Sequence, residues 1–323
     1  MMMVAKTLLV VAGVAVVGAA GGAWADDGAF TVRTGLMMAS APEPTTQPAA
    51  TAAPTNPNSE AAQAAAEQSG IGSGRPDPWT VQIQGRGWYV APSGTVRIAG
   101  STGSMDLDNV GADNPRWAPV GQVDIQADRL LITLRGTHLE ENSTAASTAA
   151  FNLGGMAVAA GDSVQTNMKW TCLELSGGWL IFDYDFEKGG QPDPKKENQF
   201  NLWVIGGGRM YDYSFDVTKL SGGPGAVTTS QTYGEVYAGL RLELQMWECL
   251  SAEAEGSVGG WPGSRSSMSW DVMVAFNWRA CEHFGLQVGY RLLSTDTHNG
   301  DGAGQSGFDG SFAGLFVGAV LRF

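Results

Sequence analysis

Apolar side chains recur at every second position over residues 311–323, whose sequence is SFAGLFVGAVLRF. The apolar positions are Ala313, Leu315, Val317, Ala319, Leu321 and Phe323. The positions between them carry small or mixed residues, including Arg322. A period of two residues is that of a β-strand, because successive side chains of a strand point to opposite faces. The pattern predicts a strand with one apolar face, which also fits a half-buried strand of a soluble protein.

The same alternation recurs from Trp79 onward, in runs separated by clusters of Gly, Asp, Asn, Ser and Pro. Runs of this kind predict β-strands. We place about ten strands, at residues 79–90, 117–127, 129–139, 164–183, 199–214, 232–246, 249–259, 267–279, 282–293 and 310–323.

Short and long connections mostly alternate between the predicted strands. The turns near residues 128, 247 and 280 are very short, and the long connections are 91–116, 140–163, 215–231 and 294–309. Membrane β-barrels alternate in this way, with short turns on one side and longer loops on the other. The turn EKGGQPDPKKEN and the compact loop GWPGSRSS depart from the rule. The sequence predicts an all-β fold, a closed antiparallel transmembrane β-barrel of about eight to twelve strands.

One face of the predicted strands is apolar, with aromatic residues near both ends. Trp270 and Trp278 are roughly 20 Å apart along the axis of a barrel whose strands tilt by about 40°. Trp79 and Tyr89 are roughly 25 Å apart by the same reckoning. Both spans match an apolar band of about 25 Å flanked by aromatic girdles. We expect the lipid-interface aromatics to be Trp79, Tyr89, Trp270, Trp278, Phe284, Tyr290 and Phe323.

The opposite face carries arginines and carboxylates in equal number. If the strands close into one ring, these side chains point into a narrow lumen, where pairing makes buried charge tolerable. The expected lumen-lining charges are Arg86, Asp124, Arg135, Glu174, Arg209, Arg241, Glu243, Glu253, Glu255, Asp271, Arg279 and Arg291. They form either a plug of paired charges or a polar pathway for small solutes, and a barrel of about ten strands is compatible with both.

Two predicted strands, 164–183 and 199–214, fit this division less well. Trp170, Trp203 and Ile205 fall on the face assigned to the interior, whereas Lys169 falls on the lipid face. Either Lys169 lies at the rim and extends its ammonium into water, or a β-bulge shifts the register there.

The N-terminal part of the chain differs in composition from the predicted barrel. Residues 1–25 have the charged start, apolar run and Ala-Trp-Ala site of a cleaved signal peptide. Residues 26–38 form a short tail, and residues 39–77 form an Ala-, Pro- and Thr-rich linker with too few apolar side chains to offset the entropy of ordering. We expect this extension to be disordered and the barrel to occupy residues 78–323.

The charge balance of the mature chain is strongly acidic. Of 19 basic residues Lys6 leaves with the signal peptide, so that 18 basic residues remain against 32 acidic ones. Nucleic acid is an unfavourable partner for such a chain, since binding to phosphates depends on Lys and Arg. No second apolar run of about 18 residues follows the signal, so a membrane-embedded mature chain would have to cross with strands.

Cysteines and histidines are few, and they predict no catalytic or metal site. Cys172, Cys249 and Cys281 are widely spaced and fit neither a disulfide framework nor a zinc pattern. Cys249 and Cys281 lie in two short turns on the same predicted rim, in strands two apart, which disfavours a bridge between them. His138 and His298 lie near acidic residues, a position typical of solvated loops. We expect no enzymatic activity, no cofactor and no bound metal.

With its alternating strands, the segment GYRLLSTD, the Gly-rich strands and the terminal AVLRF, the chain resembles bacterial outer-membrane β-barrel proteins. It is most similar to small barrels of the outer-membrane protein A and W type, over Trp79 to Phe323. The resemblance implies a location in the outer membrane. It also implies recognition of the last strand, ending on Phe323, by the barrel assembly machinery.

Three functions remain compatible with the sequence. The first is an integral outer-membrane barrel with a structural or envelope-tethering role, its lumen plugged by paired charges. The second is a narrow porin-like channel for small solutes. The third is a secreted soluble β-sandwich with a binding role.

Overall fold

The structure, a computed structural model, describes residues 79–323 except 186–198, 222, 224, 248 and 263–264. The predicted signal peptide, tail and linker lie outside the described residues. No helix among the described residues has the length and hydropathy needed to cross a membrane.

Ten long strands form one antiparallel sheet that closes on itself. They are β1 (Thr80–Arg97), β3 (Arg116–Ala127), β4 (Leu130–Ala146), β7 (Ser163–Asp185), β8 (Gln199–Lys219), β9 (Gly225–Trp247), β10 (Leu250–Trp261), β11 (Arg265–Arg279), β12 (Phe284–Asn299) and β13 (Ser306–Arg322). Each strand pairs with its neighbours along the chain, and the last pairs with the first. The predicted closed all-β barrel is confirmed, and the soluble β-sandwich is wrong because the ten long strands form one closed ring rather than two sheets packed face to face.

The seam between β1 and β13 runs over the full length of both strands, from Gln82 opposite Arg322 to Arg97 opposite Gly307. At its end the Val81 N–H donates to the Phe323 oxygen at 3.0 Å, and the Phe323 N–H donates to the Val81 oxygen at 2.9 Å. Gly314 is required in this seam, because a Cβ there would lie 1.9 Å from the Tyr89 oxygen. The chain terminus is thus the strand that closes the ring.

The strands are longer than predicted at the end that carries the long loops. For example, β9 begins at Gly225 rather than 232, and β12 continues to Asn299 rather than 293. In these extensions Ser, Thr and Asp occupy the outward positions, so the apolar alternation that predicts a strand disappears although the pairing continues. The long connections shrink accordingly, and the largest that remain are 98–115 and 147–162.

The two largest loops fold over the barrel end. The first contains β2 (Met105–Asp106), which pairs with the end of β1, and a 3-10 helix at Leu107–Val110. The second contains a hairpin of β5 (Phe151–Leu153) and β6 (Met156–Val158). The Asn109 carbonyl accepts from the Thr148 N–H at 3.2 Å, and the two loops are therefore bonded to each other.

The two strands that fitted poorly keep the predicted faces. Trp170 and Trp203 are almost fully buried inside the barrel. Lys169 points outward and pairs with Glu140 at 3.2 Å. The register shift in this pair of strands lies between Leu180 and Phe182, more than ten residues from Lys169. A bulge is therefore not what places the lysine on the outer face.

Candidate functional site

The lumen contains a buried ionic network at mid-height, built on inward positions of nine strands. Within the described residues the buried charges of the network are five arginines and six carboxylates, namely Arg86, Arg135, Arg209, Arg241, Arg291, Asp124, Glu174, Glu235, Glu253, Glu255 and Asp271. Because these numbers nearly cancel, the interior carries little net charge, and pairing offsets the cost of desolvation.

Glu174 is the centre of the network. Its oxygens lie 2.6 Å from Arg291 Nη2, 3.2 Å from Arg209 Nη2 and 3.5 Å from Arg135 Nη1. Asp271 Oδ2 shares all three partners, at 2.6 Å from Arg291, 3.3 Å from Arg209 and 4.0 Å from Arg135. Two carboxylates and three guanidinium groups from β4, β7, β8, β11 and β12 thus tie opposite walls of the barrel together.

A third carboxylate, Glu235, completes the surroundings of Arg209. Its Oε1 lies 3.3 Å from Arg209 Nη1 and accepts a hydrogen bond from the Tyr211 hydroxyl at 2.9 Å. The Arg209 guanidinium also stacks on the Tyr237 ring, 4.5 Å from its centroid. Arg209 therefore contacts three carboxylates while its side chain has no solvent exposure.

A second part of the network lies toward the short-turn end. Arg241 contacts Glu243 at 2.9 Å, Glu253 at 3.2 Å and Asp124 at 3.8 Å. Asp124 also accepts hydrogen bonds from Gln84 at 2.8 Å and from Thr133 at 2.7 Å. The Gln84 amide and the Thr133 hydroxyl therefore supply the hydrogen bonds of the Asp124 carboxylate, from which Arg241 is more distant.

Aromatic and aliphatic side chains fill the lumen at the loop end. Trp170 stacks on Phe312 with ring centroids 4.4 Å apart, and Phe308 lies 5.5 Å from Phe312. Loop residues complete the layer from above, among them Leu107, Val110, Leu153 and Val158. We call this layer, built of the residues named here, the loop-end plug. It closes the end of the lumen with packed apolar groups.

A hydrogen bond and an ion pair fasten the loops over this plug. The Ser143 hydroxyl on β4 donates to the Val110 oxygen in the first loop at 3.1 Å. Lys219 lies 2.7 Å from Asp162 in the second loop. The Lys219 ammonium, together with the Ala159 N–H, holds the pKa of the Asp162 carboxyl below its usual range. The loops are therefore tied to the barrel wall at two places.

The short-turn end is open by comparison. A cavity of about 310 Å³ lies there, and its lining is polar. Its lining includes Gln82, Arg241, Glu243, Gln245, Glu253, Asn277, Arg279, Glu282 and Arg322. We call this cavity the vestibule. The lumen thus has three layers, namely vestibule, ionic network and loop-end plug.

The outer surface carries a continuous apolar band. On β12 it extends from Phe284 to Leu292, and on β7 from Leu173 to Ile181, each roughly 20 Å along the barrel axis. Above the band toward the loops, the outward side chains become polar, as with His138 on β4. The same change occurs after Met210 on β8 and Leu292 on β12, where Asp212 and Ser294 are the next outward residues.

The predicted interface aromatics all lie on the outer face. Trp79, Tyr89, Trp278, Phe284, Tyr290 and Phe323 are exposed, and Trp270 is half-buried. The structure adds Trp117, Trp179, Trp247 and Trp261 at the edges of the band. These four tryptophans lie on β3, β7, β9 and β10, whereas the predicted aromatics came from the first strand and the last three.

Of the twelve predicted lumen charges, ten are buried together in the ionic network. The exceptions are Glu243 and Arg279, which are half-buried and line the vestibule. Glu235 was missed, although it lies an even number of residues from Arg241 on the same strand. The loop-end plug was missed as well, because its residues are adjacent only after the ring has closed.

The histidines and cysteines do not assemble into a reactive site. His138 faces outward and contacts the Thr171 hydroxyl at 2.9 Å, and His298 lies 2.9 Å from Asp296. Cys172, Cys249 and Cys281 are free thiols. Cys249 lies beside the end of β11, where the Arg279 N–H donates to the Cys249 oxygen at 2.7 Å. Among the described residues, no three His, Cys, Asp or Glu side chains are grouped to hold a metal ion.

The geometry defines a class: a closed ten-stranded β-barrel with an apolar outer band and an ionic interior. No protein-family model matches the chain, and no curated protein matches it. Among solved structures it is similar to the outer membrane protease OmpT from Escherichia coli, at 11% identity and a TM-score of 0.42, covering 77% of this chain and 98% of that one. It is also similar to the translocator domain of the autotransporter NalP from Neisseria meningitidis, at 12% identity and a TM-score of 0.36, covering 83% and 96%. Neisserial surface protein A gives 11% identity and a TM-score of 0.29, covering 76% and 98%.

Proposed function

We propose that the chain is an integral outer-membrane β-barrel with a structural, envelope-tethering role and a lumen closed to solutes. The observation that carries the proposal is the inverted polarity of the barrel, whose charges lie inside and whose large apolar side chains lie outside. The described residues include 32 exposed large hydrophobic side chains. Soluble monomers rarely expose contiguous apolar patches of more than a few hundred Å². A lipid bilayer is the environment in which such a band is stable.

The closed lumen is supported by two layers that differ in chemistry. The ionic network spans the middle, and the loop-end plug fills the end under the bonded loops. A solute entering at the vestibule meets first the Arg241 carboxylate contacts, then the Glu174 network, then stacked aromatic rings. The narrow porin-like channel is the weaker alternative because a polar solute would have to displace packed apolar groups.

The tethering role is supported by the position of the first and last strands. Both reach the short-turn end, at Thr80 and Phe323, and this end faces the periplasm in outer-membrane barrels. Residues 26–77 precede the first strand in the sequence, and their composition is that of a spacer. In this proposal a cleaved signal peptide exports the chain, the assembly machinery recognises the strand ending on Phe323, and the barrel anchors the spacer. The small size favours the outer-membrane protein A and W type, in a non-catalytic role.

Planar-bilayer recording tests whether the lumen is closed. The full mature chain, inserted at high protein load, is expected to give no stepwise conductance, because the loop-end plug and the ionic network both block the path. Insertion is verified separately by protease protection of the barrel in the same membranes. Reproducible conductance steps from the unaltered chain would contradict a sealed barrel and favour the channel.

The double variant Trp170→Ala, Phe312→Ala separates the two layers. It removes the stacked pair that fills the loop end, while the Glu174 network stays intact. If the charges alone suffice to close the lumen, this variant remains silent. If the variant conducts and the unaltered chain does not, the stacked aromatic rings are what blocks the lumen.

A further inference from the structure

The vestibule brings together three arginines that differ in their partners. Arg241 is satisfied by carboxylates at 2.9 Å and 3.2 Å. Within the described part of the chain, no carboxylate lies within 4.0 Å of the guanidinium groups of Arg279 and Arg322. Gln82, with its amide oxygen oriented toward Arg322, accepts from Nη2 at 2.7 Å and from Nε at 3.2 Å. The remaining guanidinium donors of both arginines stay available to a ligand.

The strand register places these two arginines on either side of a gap. Arg279 is opposite Gly285 on β12, and Gly285 is opposite Val320 on β13. The Arg322 N–H donates to the His283 oxygen at 3.0 Å, just beyond that glycine. Because Gly285 has no side chain, nothing from β12 stands between Arg279 and Arg322. Both arginines and Gly285 line a small cavity of about 50 Å³ beside the vestibule.

Two cations in one partly desolvated cavity are unfavourable unless an anion joins them. The Arg279 and Arg322 side chains line the same small cavity, and neither forms an ion pair with Glu243, whose carboxylate pairs with Arg241. A like charge and burial both disfavour the charged form of a group. An arginine cannot relieve this by losing its proton. An anion bound between the two guanidinium groups would offset both the repulsion and the cost of burial.

We propose that the vestibule binds a monocarboxylate, of the kind carried by an amino acid or the end of a short peptide, between Arg279 and Arg322. The guanidinium fork matches a carboxylate with two parallel N–H···O bonds. Glu243, Glu253 and Glu282 line the same cavity and repel a dianion such as phosphate more strongly than a monoanion. Glu282 is exposed at the mouth, where it faces an incoming ammonium group.

This site is independent of the proposed anchoring role. It uses only groups at the short-turn end, and it needs neither an open lumen nor the N-terminal spacer. The volume of the vestibule, about 310 Å³, is at the lower end of the range for small-ligand sites, about 300–1,000 Å³. Amides at its wall, from Gln245 and Asn277, provide donors and acceptors for a peptide backbone.

Isothermal titration of the full mature chain in detergent micelles tests the proposal with three probes. N-acetylglycine presents the carboxylate, N-acetylglycinamide is its neutral counterpart, and inorganic phosphate presents a largely dianionic oxyanion. We expect saturable binding of N-acetylglycine, weaker binding of phosphate and no binding of the amide. Arg279→Gln and Arg322→Gln should each weaken N-acetylglycine by about tenfold or more, as for loss of a hydrogen bond to a charged group.

Arg97→Gln is the matched control. Arg97 lies at the loop end and donates to the Gly302 oxygen at 3.3 Å, so its replacement should leave binding unchanged. Folding of each variant is checked by its heat-modifiable gel migration. Failure of N-acetylglycine to saturate, equal binding of the amide, tighter binding of phosphate, or full binding by the double variant Arg279→Gln, Arg322→Gln would each overturn the proposal.

Discussion

Replacing Arg209 by methionine is expected to lower the free energy of unfolding by about 3–5 kcal/mol, the cost of breaking a buried ion pair by removing one partner. Arg209 contacts Glu174, Glu235 and Asp271 within 3.3 Å, and its side chain has no solvent exposure. Methionine fills much of the volume but leaves carboxylates without their cation. Denaturant titration in lipid vesicles, followed by tryptophan fluorescence, measures the loss.

Arg279→Met is the matched control for this experiment. Arg279 lies in the vestibule, is half-buried and has no ion pair with a described residue. Its replacement should cost less than about 1 kcal/mol, as for solvent-exposed charges. Adding Glu235→Gln to Arg209→Met should recover part of the loss, since it removes one uncompensated charge. If Arg209→Met and Arg279→Met lower the free energy of unfolding equally, the network is hydrated and does not hold the barrel walls together.

Placing arginine at the middle of the apolar band is the second substitution with a large expected effect. Val288 is exposed on β12 between Phe284 and Leu292, and it is opposite Val317. Val288→Arg should destabilise the barrel in lipid by about 2–4 kcal/mol, the cost of a cation at the bilayer midplane. The measurement is the same denaturant titration in vesicles.

Ser230→Arg provides the comparison on the same surface. Ser230 is exposed on β9, opposite Ser214, in the polar region between the band and the loops. Arginine there should cost about 0–1 kcal/mol, because it remains in the interface or in water. In detergent-free buffer neither substitution should rescue solubility. A tolerated Val288→Arg in lipid would show that the outer face of β12 does not contact acyl chains.

The period-two pattern was sufficient to predict the strand count and the two faces of the barrel. It works where one face is uniformly apolar, as on β11 and β12, since alternation then separates inside from outside. Strand ends were predicted poorly, because β9 and β12 continue beyond the apolar band with polar side chains on their outer face. There the backbone pairing persists without any hydrophobic signal in the sequence.

The contents of the lumen were predictable only in part. Charges such as Arg291 and Asp271 could be assigned to the inner face from their parity along the strand. Which charges meet was not predictable, because Glu174 and Arg291 are 117 residues apart and are joined by the curvature of the ring. The same reason hid the contact between Trp170 and Phe312. Local alternation predicts whether a residue points inward or outward. Which inward residues meet depends on the stagger (shear) of the strands around the ring.

The ends of the barrel differ for a reason that the sequence does not state directly. At the loop end the inward positions are aromatic or aliphatic, whereas at the short-turn end they are Gln, Asn, Glu and Arg. Both sets alternate with outward residues and predict strands equally well. Only the closed ring shows that one set packs into the loop-end plug and the other surrounds the vestibule.

Quenching of tryptophan fluorescence by lipids brominated on their acyl chains tests the contact between the outer face and the bilayer most directly. Of the ten tryptophans between residues 79 and 278, Trp88, Trp170 and Trp203 are buried in the lumen, and the other seven lie on the outer face. We predict that brominated lipids quench most of the emission, while aqueous acrylamide quenches little of it. Tryptophan emission that brominated lipids do not quench but acrylamide does would contradict a lipid-facing band.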